Sequence, residues 1–242
     1  MNSIKILIVE DNIQFLYALQ NALKEFKADI VSVGDGIVAL EFVKTYKPDI
    51  VILDLNIPSL NGIELLEKIE QNKELSTSVI IVSGELNLIN RIPGKHYNKI
   101  KGVFCKPVEL VNIQESIKNI ILKKKNIDNI EKMQKVLNNF SFNKTSKGYR
   151  YLVECIEEIT EHPTEIKNIE KTVYPIIAKR HNIENKNKVK WCVVKTLKSM
   201  VRYTDKKILA KFFASVDEIT PKNFMIQLNN VILDEELNTW NF

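Results

Sequence analysis

The chain of 242 residues has little of what marks secreted or membrane-spanning proteins. Its three cysteines, Cys105, Cys155 and Cys192, are far apart and have no partner at metal-ligand spacing, so we interpret them as small buried hydrophobes in a reducing compartment. No apolar run approaches the ~18 residues that a membrane-spanning helix needs. The chain also starts directly with a strand-like segment and lacks a signal-peptide layout, which predicts a cytoplasmic protein.

The composition is that of a globular protein, with 45% hydrophobic and 27% charged residues, so wholesale disorder is excluded. The net charge of +5 is distributed unevenly. Residues 171–211 hold 12 Lys or Arg and 2 Asp or Glu, whereas the segments on either side, 126–170 and 212–242, are net negative. The basic block predicts contact with a polyanion, and a solvated lysine face is the alternative.

Short apolar runs rich in β-branched residues alternate with helical spacing over the first 124 residues. The runs lie at 4–9, 30–33, 50–53, 79–82 and 103–105. Five such strands separated by helices predict a doubly wound, five-stranded parallel sheet, an α/β fold. Sheets of this kind bind ligands at the carboxyl ends of their strands.

Polar residues stand at those strand ends: Glu10, Asp11, Asp54, Ser83 and Lys106. Converging carboxylates repel one another, so Mg²⁺ is a natural counter-ion, and a lysine ammonium suits a phosphoryl oxygen. An aspartate can itself be the nucleophile and become an acyl phosphate. The cluster therefore predicts in-line phosphoryl transfer to Asp54. The alternative is that polar residues merely cap a solvent-facing rim.

The same residues carry a family resemblance. Glu10-Asp11, the stretch 54–62, Ser83-Gly84 and the stretch 104–107 occur in the order found in receiver domains of two-component response regulators, which residues 3–124 resemble. The resemblance implies that a histidine-kinase relay phosphorylates Asp54. It implies a Mg²⁺ site formed by Glu10, Asp11, Asp54 and the backbone carbonyl of Asn56. It also implies that Ser83 and Phe104 form the switch pair and that Lys106 contacts the phosphate.

One segment departs from the receiver pattern. Residues 87–102 include Arg91-Ile92-Pro93-Gly94 where receivers have a regular helix. We therefore expect the fourth helix to be short or broken. This face often carries dimerisation in the family.

The remainder of the chain predicts helices and no strands. We expect a receiver domain over 1–124, a helical linker over 125–145 and an all-helical domain over 146–242. A dimerisation helix is the alternative for the linker. Thr164 is expected to N-cap a helix containing Ile166, Ile169 and Val173. A short helix near Pro175, a polar turn and a long helix ending near Tyr203 predict a helix-turn-helix at about 175–203.

The long helix has an apolar stripe and a separate basic face. The basic face consists of Lys188, Trp191, Lys195, Lys198 and Arg202. We expect it to enter the major groove of DNA, together with the neighbouring residues Lys179, Arg180, Lys186 and Lys190. For Trp191 we favour packing against the preceding helix over contact with bases or sugars, because tryptophan is usually largely buried.

Residues 146–233 resemble the DNA-binding domain of the sporulation stage-zero transcription factor of spore-forming bacteria. The resemblance rests on Gly-Tyr-x-Tyr-Leu at 148–152 and Tyr-Pro-x-Ile-Ala-Lys at 174–179. Where that family has an arginine-rich stretch with an acidic residue, this chain has Asn-Lys-Val-Lys-Trp-Cys-Val-Val at 187–194. Arginine reads guanine in a bidentate manner whereas lysine mostly supplies charge, so we expect an altered base preference.

Together these features predict a phosphorylation-dependent, DNA-binding transcriptional regulator that is not an enzyme. The expected partners are double-stranded DNA, a sensor histidine kinase or phosphotransferase, RNA polymerase, and a second copy of the chain after phosphorylation. The alternative is a phosphorelay or protein-interaction module whose helical domain binds a protein. A metal-dependent phosphatase is disfavoured because the acidic cluster lacks a candidate general acid.

Overall fold

The computed structural model describes residues 3–90, 92 and 97–233. The chain divides into two compact units, residues 1–123 and 124–242. In the described part of the chain, no helix has both the length and the apolar character needed to cross a membrane.

The first unit contains one parallel sheet of five strands in the order β2-β1-β3-β4-β5. The strands are β1 (Lys5–Val9), β2 (Asp29–Val33), β3 (Ile50–Leu53), β4 (Ser78–Ser83) and β5 (Ile100–Cys105). The predicted α/β fold is confirmed. The central strand β3 is buried throughout, as expected for a strand covered on both faces.

Helices cover both faces of this sheet: α1 (Ile13–Leu23), α2 (Gly36–Tyr46), α3 (Gly62–Gln71), α4 (Leu86–Ile89) and α5 (Leu110–Leu137). Successive residues of a strand point to opposite faces, and β1 shows this directly. Leu7 and Val9 belong to the core beneath α2 and α3. Ile6 and Ile8 belong to the core beneath α1 and the first part of α5.

Helix α4 has four residues, in agreement with the expected short helix. Arg91, Pro93 and Gly94, which motivated that expectation, lie outside the described residues. The predicted boundary between the receiver domain and the helical linker, after residue 124, does not interrupt the helix, because α5 continues to Leu137. The lysines at 123–125 favour helix rather than interrupt it. The predicted linker helix is therefore the C-terminal part of α5.

The second unit is all-helical. It contains α6 (Lys147–Glu161), α7 (Val173–Arg180), α8 (Lys186–Tyr203), α9 (Lys206–Phe212) and α10 (Pro221–Leu233), with 3-10 turns at Pro163–Asn168 and Val216–Glu218. The α-helix predicted to start at Thr164 is wrong. The hydroxyl of Thr172 donates to the carbonyls of Glu165 at 3.1 Å and Asn168 at 3.0 Å, which closes this segment into a turn ahead of α7.

The core of the second unit lies between α6, α7, α8 and α10 and includes Leu152, Ile177, Val193 and Phe224. Gly148 permits the close approach of α6 to α8. A Cβ atom at this position would overlap the hydroxyl oxygen of Thr196 and the carbonyl oxygen of Cys192.

Candidate functional site

The acidic cluster predicted from the sequence lies at the carboxyl edge of the sheet. Glu10 follows β1 and Asp54 follows β3, and both are buried, whereas Asp11 is exposed. One carboxylate oxygen from each of the three lies within 4.8 Å of the others. The parallel register places these residues side by side, with the Asp54 amide donating to the Val9 carbonyl at 2.9 Å.

Lys106 follows β5 and lies between two of these carboxylates. Its Nζ is 2.6 Å from Asp54 Oδ2 and 2.7 Å from Glu10 Oε2. It also lies 4.5 Å from the centroid of the Phe15 ring. Burial tends to lower the pKa of Lys106, but the hydrogen bonds to Asp54 and Glu10 outweigh burial and raise it. Lys106 therefore remains a cation at neutral pH.

For Glu10, burial has the larger effect on the pKa. Burial raises the pKa of Glu10 above its usual value, and the hydrogen bond from Lys106 opposes that rise. A buried carboxylate needs a compensating cation, and a single ammonium serves both Glu10 and Asp54 in the structure. This donor set, of carboxylate oxygens only, also fits a hard divalent cation such as Mg²⁺.

The loop after β3 holds the Asp54 carboxylate in place. The backbone amide of Asn56 donates to Asp54 Oδ1 at 3.0 Å. The Gly62 amide donates to the Leu55 carbonyl at 3.0 Å, and a Cβ at Gly62 would lie 2.5 Å from the Asp54 carbonyl oxygen. Glycine is thus required for the start of α3 to return against the end of β3.

The two residues expected to form a switch pair lie on adjacent strands. Ser83 is fully buried at the end of β4, and its carbonyl accepts the backbone amide of Lys106 at 2.9 Å. Phe104 is part-buried on β5, next to Val82. The structure therefore brings Ser83 to the same sheet edge as Asp54 and Lys106. Phe104 immediately precedes Cys105, the residue of β5 that pairs with Ser83.

The second unit contains the predicted helix-turn-helix, formed by α7, a turn and α8. The basic face of α8, defined above, is exposed along its length, and the opposite stripe of Val189, Val193, Leu197 and Met200 is buried. The expectation that Trp191 packs against the preceding helix is wrong, because its side chain is 61% exposed. The indole lies on the same side as the basic residues, where helical spacing places it.

Two of the predicted DNA-contacting residues make ion pairs within their own unit. Arg180 lies 3.1 Å from Glu158 and 3.5 Å from Glu154 on α6. Lys190 lies 2.7 Å from Glu170. Lys179 and Lys186, on either side of the turn, are exposed.

Sequence reasoning missed the role of α6 in holding the turn of the helix-turn-helix. The ring Nε2 of His181, in that turn, lies 2.8 Å from Glu154. Glu154 and Glu158 are one helical turn apart and meet consecutive residues, Arg180 and His181. The spacing of four residues between the glutamates indicates that they share one face of α6. It does not reveal which basic residues that face contacts.

Comparison with known proteins agrees with this architecture. Residues 6–118 match the family profile of the response regulator receiver domain. This match identifies the first unit as a receiver domain. Residues 133–229 match the profile described as Sporulation initiation factor Spo0A C terminal, so the chain belongs to the response regulators that carry a Spo0A-type C-terminal domain.

Individual relatives cover the receiver part. The chain is 29% identical over 123 residues to Sporulation initiation phosphotransferase F of Bacillus subtilis, spanning 50% of this chain and 97% of the relative. It is 38% identical over 69 residues to the B. subtilis regulator PhoP, spanning 28% and 29%. A solved structure of chemotaxis response regulator CheY4 of Vibrio cholerae matches 49% of this chain and 99% of that chain, with 20% identity and a TM-score of 0.44.

Other relatives match over a small part of their own length. The chain spans 9% of the sensor kinase/phosphatase LuxQ of Vibrio parahaemolyticus and 32% of the Regulator of RpoS of Escherichia coli.

Proposed function

We propose that this protein is a transcriptional regulator whose binding to DNA is controlled by phosphorylation of Asp54. One observation supports the proposal above others. A buried aspartate with a lysine partner lies in one unit, and an exposed basic helix face lies in the other. A phosphatase leaves the basic face without a role, and the match to a Spo0A-type C-terminal domain favours DNA over a protein as the partner of that face.

The chemistry at the first unit is transfer of one phosphoryl group. An oxygen of the Asp54 carboxylate attacks phosphorus, the new O–P bond forms, and the bond to the donor breaks with its electron pair leaving on the donor. The Lys106 ammonium neutralises negative charge on the phosphoryl oxygens. The Ser83 hydroxyl donates to a phosphoryl oxygen, and Phe104 changes its packing with it.

The carboxylates of Glu10, Asp11 and Asp54, with the carbonyl of Asn56, would hold Mg²⁺. A bound Mg²⁺ supplies positive charge that offsets the charge of the incoming phosphoryl group. The Lys106 ammonium has three N–H donors, so it can donate to a phosphoryl oxygen as well as to a carboxylate.

Phosphorylation would bias a two-state receiver, as a local change in charge does in other switches. We propose that the active state makes the C-terminal domain available to DNA and favours a homodimer. A sensor histidine kinase or phosphotransferase would be the phosphodonor, and RNA polymerase a further partner. Because it acts on chromosomal DNA, the regulator would reside in the cytoplasm. In this role the protein catalyses no turnover of an external substrate.

The DNA-binding part is tested by reversing charge on the basic face of α8. The double substitution Lys188→Glu and Lys195→Glu should abolish retention of duplex DNA at low salt, because each lysine that neutralises a phosphate releases a counterion. The matched control is Lys68→Glu with Lys73→Glu, an equal change of charge at exposed positions of the receiver. Filter-binding or fluorescence-anisotropy titrations across a salt series provide the measurement.

The outcome also separates the two functions. Loss of binding in the α8 variant alone supports DNA binding. Wild-type affinity in the α8 variant, or no salt-dependent binding by the wild type, would favour the protein-interaction module instead.

A further inference from the structure

Trp191 occupies the middle of a surface that otherwise carries only positive charge. It lies in the second turn of α8, between Lys188 and Lys195 on the basic face. In a helix-turn-helix, residues in the N-terminal part of the second helix reach the base edges in the major groove. Trp191 is therefore placed to meet bases, while lysines further along the helix meet phosphates.

The exposure of this side chain is unusual for its type. Burying a large apolar side chain is favourable, and tryptophan is highly buried on average. Here 61% of the side chain is exposed to solvent. A partner that covers the basic face would remove this apolar surface from water, which favours binding.

The Lys195 ammonium lies against the indole, 5.1 Å from its ring centroid. A cation at this distance attracts the face of the ring. The charge and the ring are therefore presented together, with the ammonium one helical turn nearer to the C-terminus of α8.

The chemistry of the indole restricts what it can read. It has a single N–H donor and no acceptor, so it cannot make the bidentate pair that arginine makes with guanine or asparagine with adenine. The apolar group that B-DNA displays in the major groove is the C5 methyl of thymine. The indole therefore matches thymine better than any other base.

We propose that Trp191 is a specificity-determining residue that contacts the C5 methyl of a thymine and so selects an A·T pair at the position it faces. The inference rests on the proposed DNA-binding function and adds to it one base preference and its physical cause. It also accounts for the exposure of a side chain whose type is usually largely buried.

The test replaces thymine by uracil, which removes only the methyl group. Selection from random duplexes with the full-length protein first gives a bound sequence. Each thymine of that sequence is then replaced in turn, and affinity is measured. We expect replacement at one position to weaken binding about fourfold, the effect of one buried methyl group, and replacements elsewhere to have no effect.

Variants at position 191 connect that effect to the indole. Trp191→Ala should bind the methylated and unmethylated duplexes equally, and Trp191→Phe should keep the discrimination. Tyr17→Ala, which removes an exposed aromatic side chain from the receiver, should behave as the wild type. Because Trp191 is exposed, these variants should retain the helical circular dichroism of the wild type.

Each result decides a separate point. Duplex binding that is insensitive to uracil at every position overturns the role of Trp191 but leaves the proposed function intact. Equal weakening of all sequences by Trp191→Ala also overturns it, because that pattern indicates contact with the sugar-phosphate backbone. Absence of duplex binding by the wild type contradicts the proposed function and this inference together.

Discussion

At the scale of single residues, the account depends on one lysine shared by two buried acids. Glu10 and Asp54 side chains are 3% and 7% exposed, and the Lys106 side chain is 21% exposed. Such an arrangement is stable only while a cation is present, because two buried carboxylates without one repel each other. The pocket is therefore suited to exchanging one cation for another.

Replacing this lysine should make the receiver depend on magnesium. Lys106→Met should lower the free energy of unfolding by about 1–3 kcal/mol without Mg²⁺, less than for a fully buried pair because Lys106 is partly exposed. Added Mg²⁺ should then raise the melting temperature more than in the wild type, since a bound ligand stabilises the folded state. Thermal unfolding with and without Mg²⁺ measures both effects.

The control is Lys68→Met, at an exposed position on α3. An equal response to Mg²⁺ in Lys106→Met and the wild type would show that Lys106 does not occupy the place of a divalent cation.

At the scale of helices, the geometry of the second unit depends on how closely α6 approaches α8. Gly148 is the contact point, and any larger side chain meets the backbone of Cys192. The glycine is visible in the sequence, but the need for it is not, because the contact joins residues more than forty positions apart.

Gly148→Ala should therefore destabilise the second unit. Overpacking of this kind typically costs about 1–3 kcal/mol, which exceeds the gain in helix propensity from alanine. Chemical denaturation of the full chain should show an earlier transition for the second unit with the receiver transition unchanged. Ser199→Ala serves as the comparison, and a variant as stable as the wild type would show that α6 can shift away at no cost.

An ion pair with Glu170 holds Lys190, one of the residues expected to contact DNA. Both side chains are well exposed, and the hydrogen bond from Lys190 lowers the pKa of Glu170. Glu170→Gln should release Lys190 and raise affinity for duplex DNA about twofold to fivefold, with a slightly steeper dependence on salt.

Glu161→Gln, on an exposed part of α6, makes the same change of charge away from Lys190. Equal gains in the two variants would attribute the effect to overall charge rather than to the release of this lysine.

At the scale of the whole molecule, the sequence predicted the fold class and the placement of the pocket because both follow from periodicity. Five apolar runs fixed the strands, and the carboxyl ends of parallel strands must share an edge, which brought Glu10, Asp54 and Lys106 together. Pairwise distances such as those around Lys106 depend on the sheet order and were not available from the sequence.

Other features could not be predicted because they depend on tertiary context. The sequence predicted a receiver domain and a separate helical linker that meet at residue 124, yet a single helix, α5, runs through this boundary. The preference of tryptophan for the interior predicted a buried Trp191, yet its position on α8 places it outside. The engagement of Arg180 by α6 is a contact between helices that local patterns do not encode.

The central claim is that one phosphoryl group on Asp54 controls binding of the chain to DNA. Its most direct test is the affinity of the full-length protein for a selected duplex, measured with and without Mg²⁺ and a small phosphodonor, for the wild type and Asp54→Asn. We expect the phosphodonor to increase the affinity of the wild type and to leave that of Asp54→Asn unchanged. The same affinity in all conditions, or an equal increase in both proteins, would contradict the account.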